Sequence, residues 1–368
     1  MRIAVLGNLA NVGHNIARYL SDAGLDVTLI LKRERLDRWR DWNPDLDPQQ
    51  CSWLRVNPGR NKYLCVVREG LWASRYDLLI SVGLGGMWYL PMIGKPYVSY
   101  ATGADLRELA AGIGYPRHWA LQAQRVFRAA RLVFYSPDHG QIEMTKKLQL
   151  RRVVPWRQFV DTAFWKPSEA APSPSQDGLR ICHPTNLKWS LRLEGQSSKA
   201  NDVLFRGFRQ FLDEGGRGVL YYLERGQNVR ETTGLIRELR LEPHVRVYGN
   251  TLDRNKLREF MLGCDVVADQ FGLGCFGLTA LEAMSLGKPT IGYADPELMR
   301  IAYPPPDRSP PILNARNPPE VAGHLHALLD SHRMQLTGTE SRKWIEEYHD
   351  PRRLATWYWQ HIEQSLSR

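Results

Sequence analysis

Several things are missing from this sequence, and each absence narrows the reading. The five cysteines (Cys51, Cys65, Cys182, Cys264 and Cys275) form no CxxC pair. An odd, scattered set cannot pair off completely, so a reducing compartment is expected, the cytoplasm first. No apolar run is long enough to span a bilayer: the nearest, 78–94, has 17 residues, four of them glycine and one proline, and reads as a strand followed by a glycine loop. The start, MRIAVLGN, lacks the long apolar core of a secretory signal and reads as a strand. His14, His118, His139 and His183 show no metal-ligand spacing. No internal repeat or long low-complexity tract occurs. Acidic residues are in the minority, 39 against 49 Lys and Arg, for a net charge of +10 and a pI near 9.4. That excess points to an anionic partner: nucleic acid, an anionic membrane surface or a phosphorylated small molecule. Charge alone does not choose among them.

What is present fits a two-domain soluble α/β protein. The chain has 368 residues, 43% hydrophobic and 24% charged, enough for two cores. RIAVLG (2–7) is a continuous apolar run, as buried parallel strands are. NVGHNIARYLSDAG (11–24) has helical spacing with Gly24 at its end, and DVTLIL (26–31) is the next strand. DLLISVG (77–83), KPYVSYA (95–101) and RRVVP (151–155) read as further strands, and 117–135 as a basic amphipathic helix running into a strand. KPSEAAPSPSQDG (166–178) is Pro/Ser-rich and without a large apolar residue, a linker composition. Beyond it the alternation restarts. Strands at 178–186, 218–224, 244–249, 265–271 and 289–293 are separated by helices at 201–215, 228–241 and 252–264, and 320–331 and 341–366 read as terminal helices. The expected domains are 1–166, joined by a C-terminal helix at about 345–368, then a linker 167–178, and 179–344. In doubly wound domains ligands lie beyond the carboxyl ends of the strands.

The stretch GCFGLTALEAMSLGKPTIGY (274–293) is the most informative. A glycine-rich turn opens an apolar helix with a carboxylate, Glu282, inside it. Thr279 is the expected N-cap and Glu282 is expected in the first turn. Free N–H groups at a helix start form an anion site, and the glycines let a ligand approach the backbone. On that reading the helix start holds phosphate and Glu282 accepts from a ribose diol. On the plain reading Glu282 complements the helix dipole and the glycines only shape a turn.

DQFGLGCFGLTALEAMSLGKPTI resembles the signature of retaining glycosyltransferases with the GT-B fold (family 4-like, group 1). DTAFWKP (161–167), ICHPTN (181–186) with KANDVL (199–204), and HVRVYGNTLDRNKLREFMLGCDVVADQF match further motifs of that family in the right order, and SYATGADLRE (99–108) matches a first-domain segment. The resemblance covers the second half well and the first half mainly by pattern. It implies two doubly wound Rossmann-like domains facing an interdomain cleft and a metal-independent hexosyltransferase. The nucleotide-sugar, such as a UDP- or GDP-hexose, would be a substrate, with no cofactor or metal required. Glu282 would bind the ribose. Lys199, with Lys188 or Arg192 from the loop that begins at Asn186, would bind the diphosphate and stabilise the leaving group, along with backbone N–H groups at Gly277, Leu278 and Thr279 beside Phe276. Gly249 and Asn250 would line the base pocket, and the loop GNLANVG (7–13), ending at Gly13, would face acceptor and donor phosphate.

The chain departs from the family pattern in named places. Its first signature Glu is Gly274 here, with Asp269 and Gln270 upstream as the candidate replacement beside the donor sugar. The family's Lys-Gly is Lys199-Ala200, and a first-domain His is replaced by Thr102. Asp105 reads either as a sugar ligand or as a cap. A glycan or lipid-linked acceptor is expected, with peripheral contact to an anionic membrane surface from the basic helix 117–131, and no nucleic acid. Two rivals are a GT-B sugar-nucleotide epimerase and a catalytically silent protein that binds sugar-nucleotide or nucleic acid.

Overall fold

The computed structural model describes residues 1–43, 46–59, 61–168, 178–190, 198–305 and 307–367. The chain divides into two compact units, 1–159 with 351–368, and 160–350.

In the first unit seven parallel strands form one sheet: β1 (Arg2–Leu6), β2 (Asp26–Lys32), β3 (Leu54–Asn57), β4 (Leu78–Val82), β5 (Tyr97–Tyr100), β6 (Leu132–Tyr135) and β7 (Val153–Pro155). Their order is β3-β2-β1-β4-β5-β6-β7, so the winding reverses where β1 meets β4. β4 is buried along its whole length and β1 in all but Arg2, which is why they appear in the sequence as unbroken apolar runs. The helix Val12–Asp22 lays Ile16, Ala17 and Leu20 on this sheet, and Gly24 ends it at φ +86°. The helix Pro351–Leu366 returns to the same core through Leu354, Ala355, Tyr358 and Ile362. Tyr358 shares a hydrogen bond with Tyr100 at 2.9 Å and stacks on Phe159 at 5.2 Å. Burying an aliphatic or aromatic side chain of this kind contributes about 1.5–3 kcal/mol.

The second unit holds six parallel strands: β8 (Leu179–His183), β9 (Gly218–Leu223), β10 (Val245–Gly249), β11 (Val266–Ala268), β12 (Thr290–Gly292) and β13 (Leu313–Asn314). Their order is β10-β9-β8-β11-β12-β13, with the reversal between β8 and β11. Phe205, Phe208 and Phe211 of the helix Asp202–Asp213 are fully buried in its core. Gly207 lets the helix Pro318–Ala327 close in, since a Cβ there would lie 2.6 Å from the Cβ of Val321.

The expectations fail where local pattern is weak. β3 and β13 were not expected: both are short, and β3 is mostly half-buried, so neither carries an apolar run. The single helix expected over 341–366 is two, Ser331–Tyr348 and Pro351–Leu366. Pro351 lacks an N–H and disfavours helical backbone at Asp350, so one helix stops and the next starts with proline at its first position.

Candidate active site

The site residues gather where the second sheet reverses. β8 and β11 are neighbours, and the chain leaves them through Thr185 and Asn186 on one side and Asp269 and Gln270 on the other. Asp269 is 2% exposed. One carboxylate oxygen accepts from the Thr185 hydroxyl at 2.9 Å, the other from the backbone N–H of Gly277 at 2.8 Å. The Gln270 side-chain amide donates to the carbonyl of Cys275. These two side chains therefore set the course of the loop 271–277. The glycines in it, Gly272, Gly274 and Gly277, stand at G-x-G-x-x-G spacing between a strand and a helix, a signal not drawn on above.

Gly277 is the N-cap of the helix Leu278–Ser285 and has no side-chain cap. This corrects the expectation that Thr279 caps it: Thr279 is the second helical residue. With Gly277 engaged by Asp269, the N–H groups of Leu278 and Thr279 at the helix start are the ones left for a ligand. Phe276 turns its ring toward Tyr303 (6.5 Å) and Trp344 (6.1 Å), so the loop side receives only its backbone.

Glu282 lies in the second turn, not the first. It is 5% exposed, and among the described residues no group hydrogen-bonds its carboxyl. Burial pushes its pKa up to about 8, opposed by the charges of Arg254 and Arg225 and assisted by Asp269. Sequence reasoning missed both arginines. Arg254 opens the helix Arg254–Leu262. It donates to Asp161 at 3.0 Å and lies over the ring of Phe164 at 3.8 Å, so the segment DTAFWKP holds it. Arg225 follows β9 and donates to the carbonyl of Pro184 at 2.8 Å. These partners lie 93 and 41 residues away in the chain, so no local pattern marked either arginine.

Lys199 is half-buried and pinned by its backbone. Its N–H donates to the carbonyl of Lys188 at 2.6 Å, and its carbonyl accepts from Phe271 at 2.8 Å. Gly272 permits this contact: a Cβ there would lie 2.4 Å from the carbonyl oxygen of Ser198. Burial pushes the Lys199 pKa down, and the charge of Asp269 pulls it up. Ala200 stands at φ +47°, the left-handed conformation that the family's glycine adopts freely. Asn201, also missed, braces the same loop. It is fully buried, accepts from the N–H of Lys188 at 2.8 Å and donates to His183 Nε2 at 2.8 Å. His183 then donates from Nδ1 to the carbonyl of Ala268 at 2.9 Å, and burial drives its pKa down to about 4.

The remaining candidates are placed as follows. Arg192 falls outside the described residues. The side chain of Asn186 is exposed. Gly249 ends β10 at a register shift and accepts from the N–H of Glu224 at 2.8 Å, and Asn250 beside it is exposed. Gly13 is in the first unit, in the first turn of its helix, where a Cβ would lie 2.0 Å from the carbonyl oxygen of Gly7; its absent side chain lets the 7–13 loop fold back. Asp105 accepts from the N–H groups of Thr102, Gly103 and Leu106, so its carboxyl is taken up by the turn it begins. Gly274 stands at φ +72°, and a Cβ there would lie 3.1 Å from both Asp295 Cβ and Leu298 Cδ1. The place of the family's first Glu is thus built for glycine. Among the described residues no three His, Cys, Asp or Glu side chains come together as a metal-binding group, and none of the five cysteines is paired.

Residues 215–303, which contain most of this site, match the family model described as glycosyl transferases group 1. No curated protein matches the chain by sequence. Its fold matches HepE of Anabaena, solved in complex with UDP-glucose, at a TM-score of 0.69 and 15% identity over 100% of both chains. It also matches the sucrose-phosphate synthase of Thermosynechococcus elongatus (0.67, 14%, 100% of this chain and 99% of that one), and a glycosyltransferase from Rickettsia africae (0.63, 12%, 99% and 98%). The family match is confined to residues 215–303 of the second unit, and along its whole length the chain shares the GT-B architecture of these structures.

Proposed function

We propose that the enzyme moves a hexose from a nucleotide-sugar, a UDP-hexose first, to a hydroxyl acceptor, with retention at the anomeric carbon and without a metal. The observation that carries this is a buried carboxyl without a hydrogen-bond partner among the described residues, Glu282, in the second turn of a helix that starts at Leu278 with no side-chain cap. Arg254 and Arg225 bring positive charge to bear on it, and Lys199 is close enough to Asp269 and Arg225 to feel their charges. A ribose diol would donate to Glu282, which the bound ligand would hold ionised. The diphosphate would take the N–H groups of Leu278 and Thr279 with Lys199 and Arg225, whose charge offsets what develops as the glycosidic C–O bond breaks. Asp269, with the loop it organises, stands where the donor sugar would lie. HepE, whose fold is similar, was solved with UDP, with UDP and glucose, and with UDP-glucose.

The acceptor is a glycan or a lipid-linked saccharide met at an anionic membrane surface. The expected seat of that contact, the helix Arg117–Ala129, buries Ala120, Ala123, Val126 and Phe127, so its apolar stripe is already used. A better seat is the helix Lys62–Ala73, where Tyr63, Leu64, Val67 and Leu71 are each more than half exposed, with Met92 nearby on Leu90–Ile93. Arg68 in this helix and Arg75 just after it are exposed, while Glu69, Asp105 and Glu108 are buried, a combination suited to an anionic interface. No helix among the described residues is long and apolar enough to cross a membrane.

The test is turnover of UDP-glucose and GDP-mannose in the presence of saccharide acceptors, with and without EDTA. UDP release that depends on acceptor, survives EDTA and disappears in Glu282→Ala supports the reading. Conversion of the donor sugar without acceptor would favour an epimerase, and nucleotide binding without turnover a silent protein.

A further inference from the structure

The net charge of +10 is not shared by the two units. The second, which holds the candidate donor site, has slightly more acidic than basic residues, so the whole excess lies in the first. The topology of that unit then concentrates part of it. In a parallel sheet each crossover helix runs back against the strands, so it ends beside the amino end of the strand it feeds. The helix Arg117–Ala129 feeds β6 and the helix His139–Lys147 feeds β7. The Arg128 side chain donates to the carbonyl of Leu148, just past the second of these helices, at 3.4 Å, so the two helix ends are neighbours. β6 and β7 pair with Val133 opposite Val153, which sets Arg131 and Arg151 side by side where the strands begin. Arg125, Arg128, Arg131, Lys146, Lys147 and Arg151 thus gather at one end of the sheet, all of them exposed. Among the described residues none of the six is in an ion pair. The helix Pro351–Leu366 reaches the same end, where the carbonyl of Ser365 accepts from Arg152 at 3.1 Å. The acids brought there are Glu143 and Glu363, both exposed. Cations at helix ends ordinarily answer the helix dipole, about half a charge for each helix. Two helix ends and two carboxylates therefore account for roughly three of the six charges, and nothing in the chain answers the rest.

We infer that the amino end of β6 and β7 holds an acidic polysaccharide chain by its anionic groups. The cations lie on the outer faces of two helices and at the starts of two strands, so they follow a bend. A flexible linear polyanion traces such a bend, and a planar bilayer does not. No exposed aromatic side chain stands among them; the exposed Trp119 is in the first turn of its helix, at the other end. An unpaired nucleic acid would therefore find no stacking platform. The patch is also remote from the carboxyl ends of the strands, where ligands of such sheets lie. A partner held there is long, and the part held is not the part that reacts. Polyanion binding stands on the patch alone; that the polyanion is a saccharide chain, and the acceptor, rests on the transferase reading above.

Fluorescence anisotropy of labelled polygalacturonate on the full chain tests it, with neutral dextran, a single-stranded oligonucleotide and vesicles of anionic phospholipid as competitors. Polygalacturonate is expected to bind, more weakly as salt rises, and dextran is not expected to compete. Arg125→Gln, Lys147→Gln and Arg151→Gln together should weaken binding about a hundredfold at low salt. Arg125→Lys with Arg151→Lys keeps the charge and should keep the binding. The three side chains are exposed, so the triple variant should fold, and UDP should raise its melting temperature as it does that of the parent. No binding of polygalacturonate, competition by dextran, or binding indifferent to the triple variant would each overturn the inference. Tighter binding of the oligonucleotide would overturn it in favour of nucleic acid, and tighter binding of the vesicles, lost in the triple variant, in favour of a bilayer. If polygalacturonate binds through the patch but no nucleotide stabilises the chain, the transferase reading falls and polyanion binding stands. Acceptor-dependent turnover by a chain that ignores polygalacturonate keeps the transferase reading and removes this inference.

Discussion

The carboxylate of Asp269 accepts the backbone N–H of Gly277 at 2.8 Å, across eight residues of chain. With its other oxygen on Thr185, it ties the loop after β8 to the start of the helix that carries Glu282. The bond fixes Gly277, the N-cap, immediately before the helix start at Leu278 and Thr279.

Asp269→Asn removes an acceptor, since the amide nitrogen only donates and leaves one oxygen for two donors, the Thr185 hydroxyl and the Gly277 N–H. Hydrogen bonds to a charged group are worth about 1.5–3 kcal/mol, so the second unit should lose stability of that order. Stabilisation by UDP should fall further, because the helix start loses its alignment. Denaturant unfolding with and without UDP measures both. An unchanged UDP response would separate Asp269 from the donor site.

Glu282 predicts a pH signature with a definite sign. Its native pKa of about 8 lies above its ordinary 4.5, so the native state holds a proton that the unfolded chain gives up. That stability is complete below 4.5 and is lost as pH rises toward 8, by about 1.4 kcal/mol per pH unit where the two states differ by one proton. His183 works in the opposite direction: its native pKa of about 4 lies below 6.5, so its stability is lost as pH falls from 6.5. The two oppose each other between 4.5 and 6.5, which leaves pH 6.5 to 8 as the window for Glu282. Glu282→Gln should flatten the decline of stability there. Affinity for UDP-glucose, whose diphosphate does not titrate in this range, should rise with pH in the parent and stay flat in the variant.

Two backbone positions give opposite expectations. Ala200 holds a left-handed conformation at φ +47°, which strains an L-residue by about 1–2 kcal/mol. Ala200→Gly should therefore raise the melting temperature and leave donor binding intact. Gly274→Glu, which writes the family residue back, should lower it, because the side chain has no room and the backbone favours glycine. A stable Gly274→Glu variant with higher turnover would contradict this account of the site.

The exposed stripe of the helix Lys62–Ala73 predicts sedimentation with vesicles containing anionic phospholipid, weakened by salt. Leu64→Glu with Leu71→Glu should abolish it and leave turnover of a water-soluble acceptor unchanged. Equal binding to neutral vesicles, or none to anionic ones, would remove this face as the membrane seat.

Much of the fold is written locally. The runs at β1 and β4 are apolar because both faces of those strands are covered, so burial shows in the sequence directly. The helices Val12–Asp22 and Asp202–Asp213 are amphipathic for the same reason. The Pro/Ser stretch before β8, the glycines around Gly277 and the single Glu in an apolar helix were visible too, since each is an unusual residue type for its place. Conformation and pairing were not visible. That Glu282 is in the second turn and nearly fully buried depends on the cap falling at Gly277, which Asp269 decides from eight residues away. That Arg225 and Arg254 serve the site depends on partners at Pro184 and Asp161, 41 and 93 residues distant. That Gly274 excludes a glutamate depends on Asp295 and Leu298 closing over it. The one-dimensional pattern determined which residues can be buried and where the chain must turn, because both follow from side-chain polarity and local sterics. Which charges meet, and therefore which carboxyl stays protonated and which N–H stays open, was decided only by the tertiary structure, because electrostatics and hydrogen bonds act through space and not along the chain.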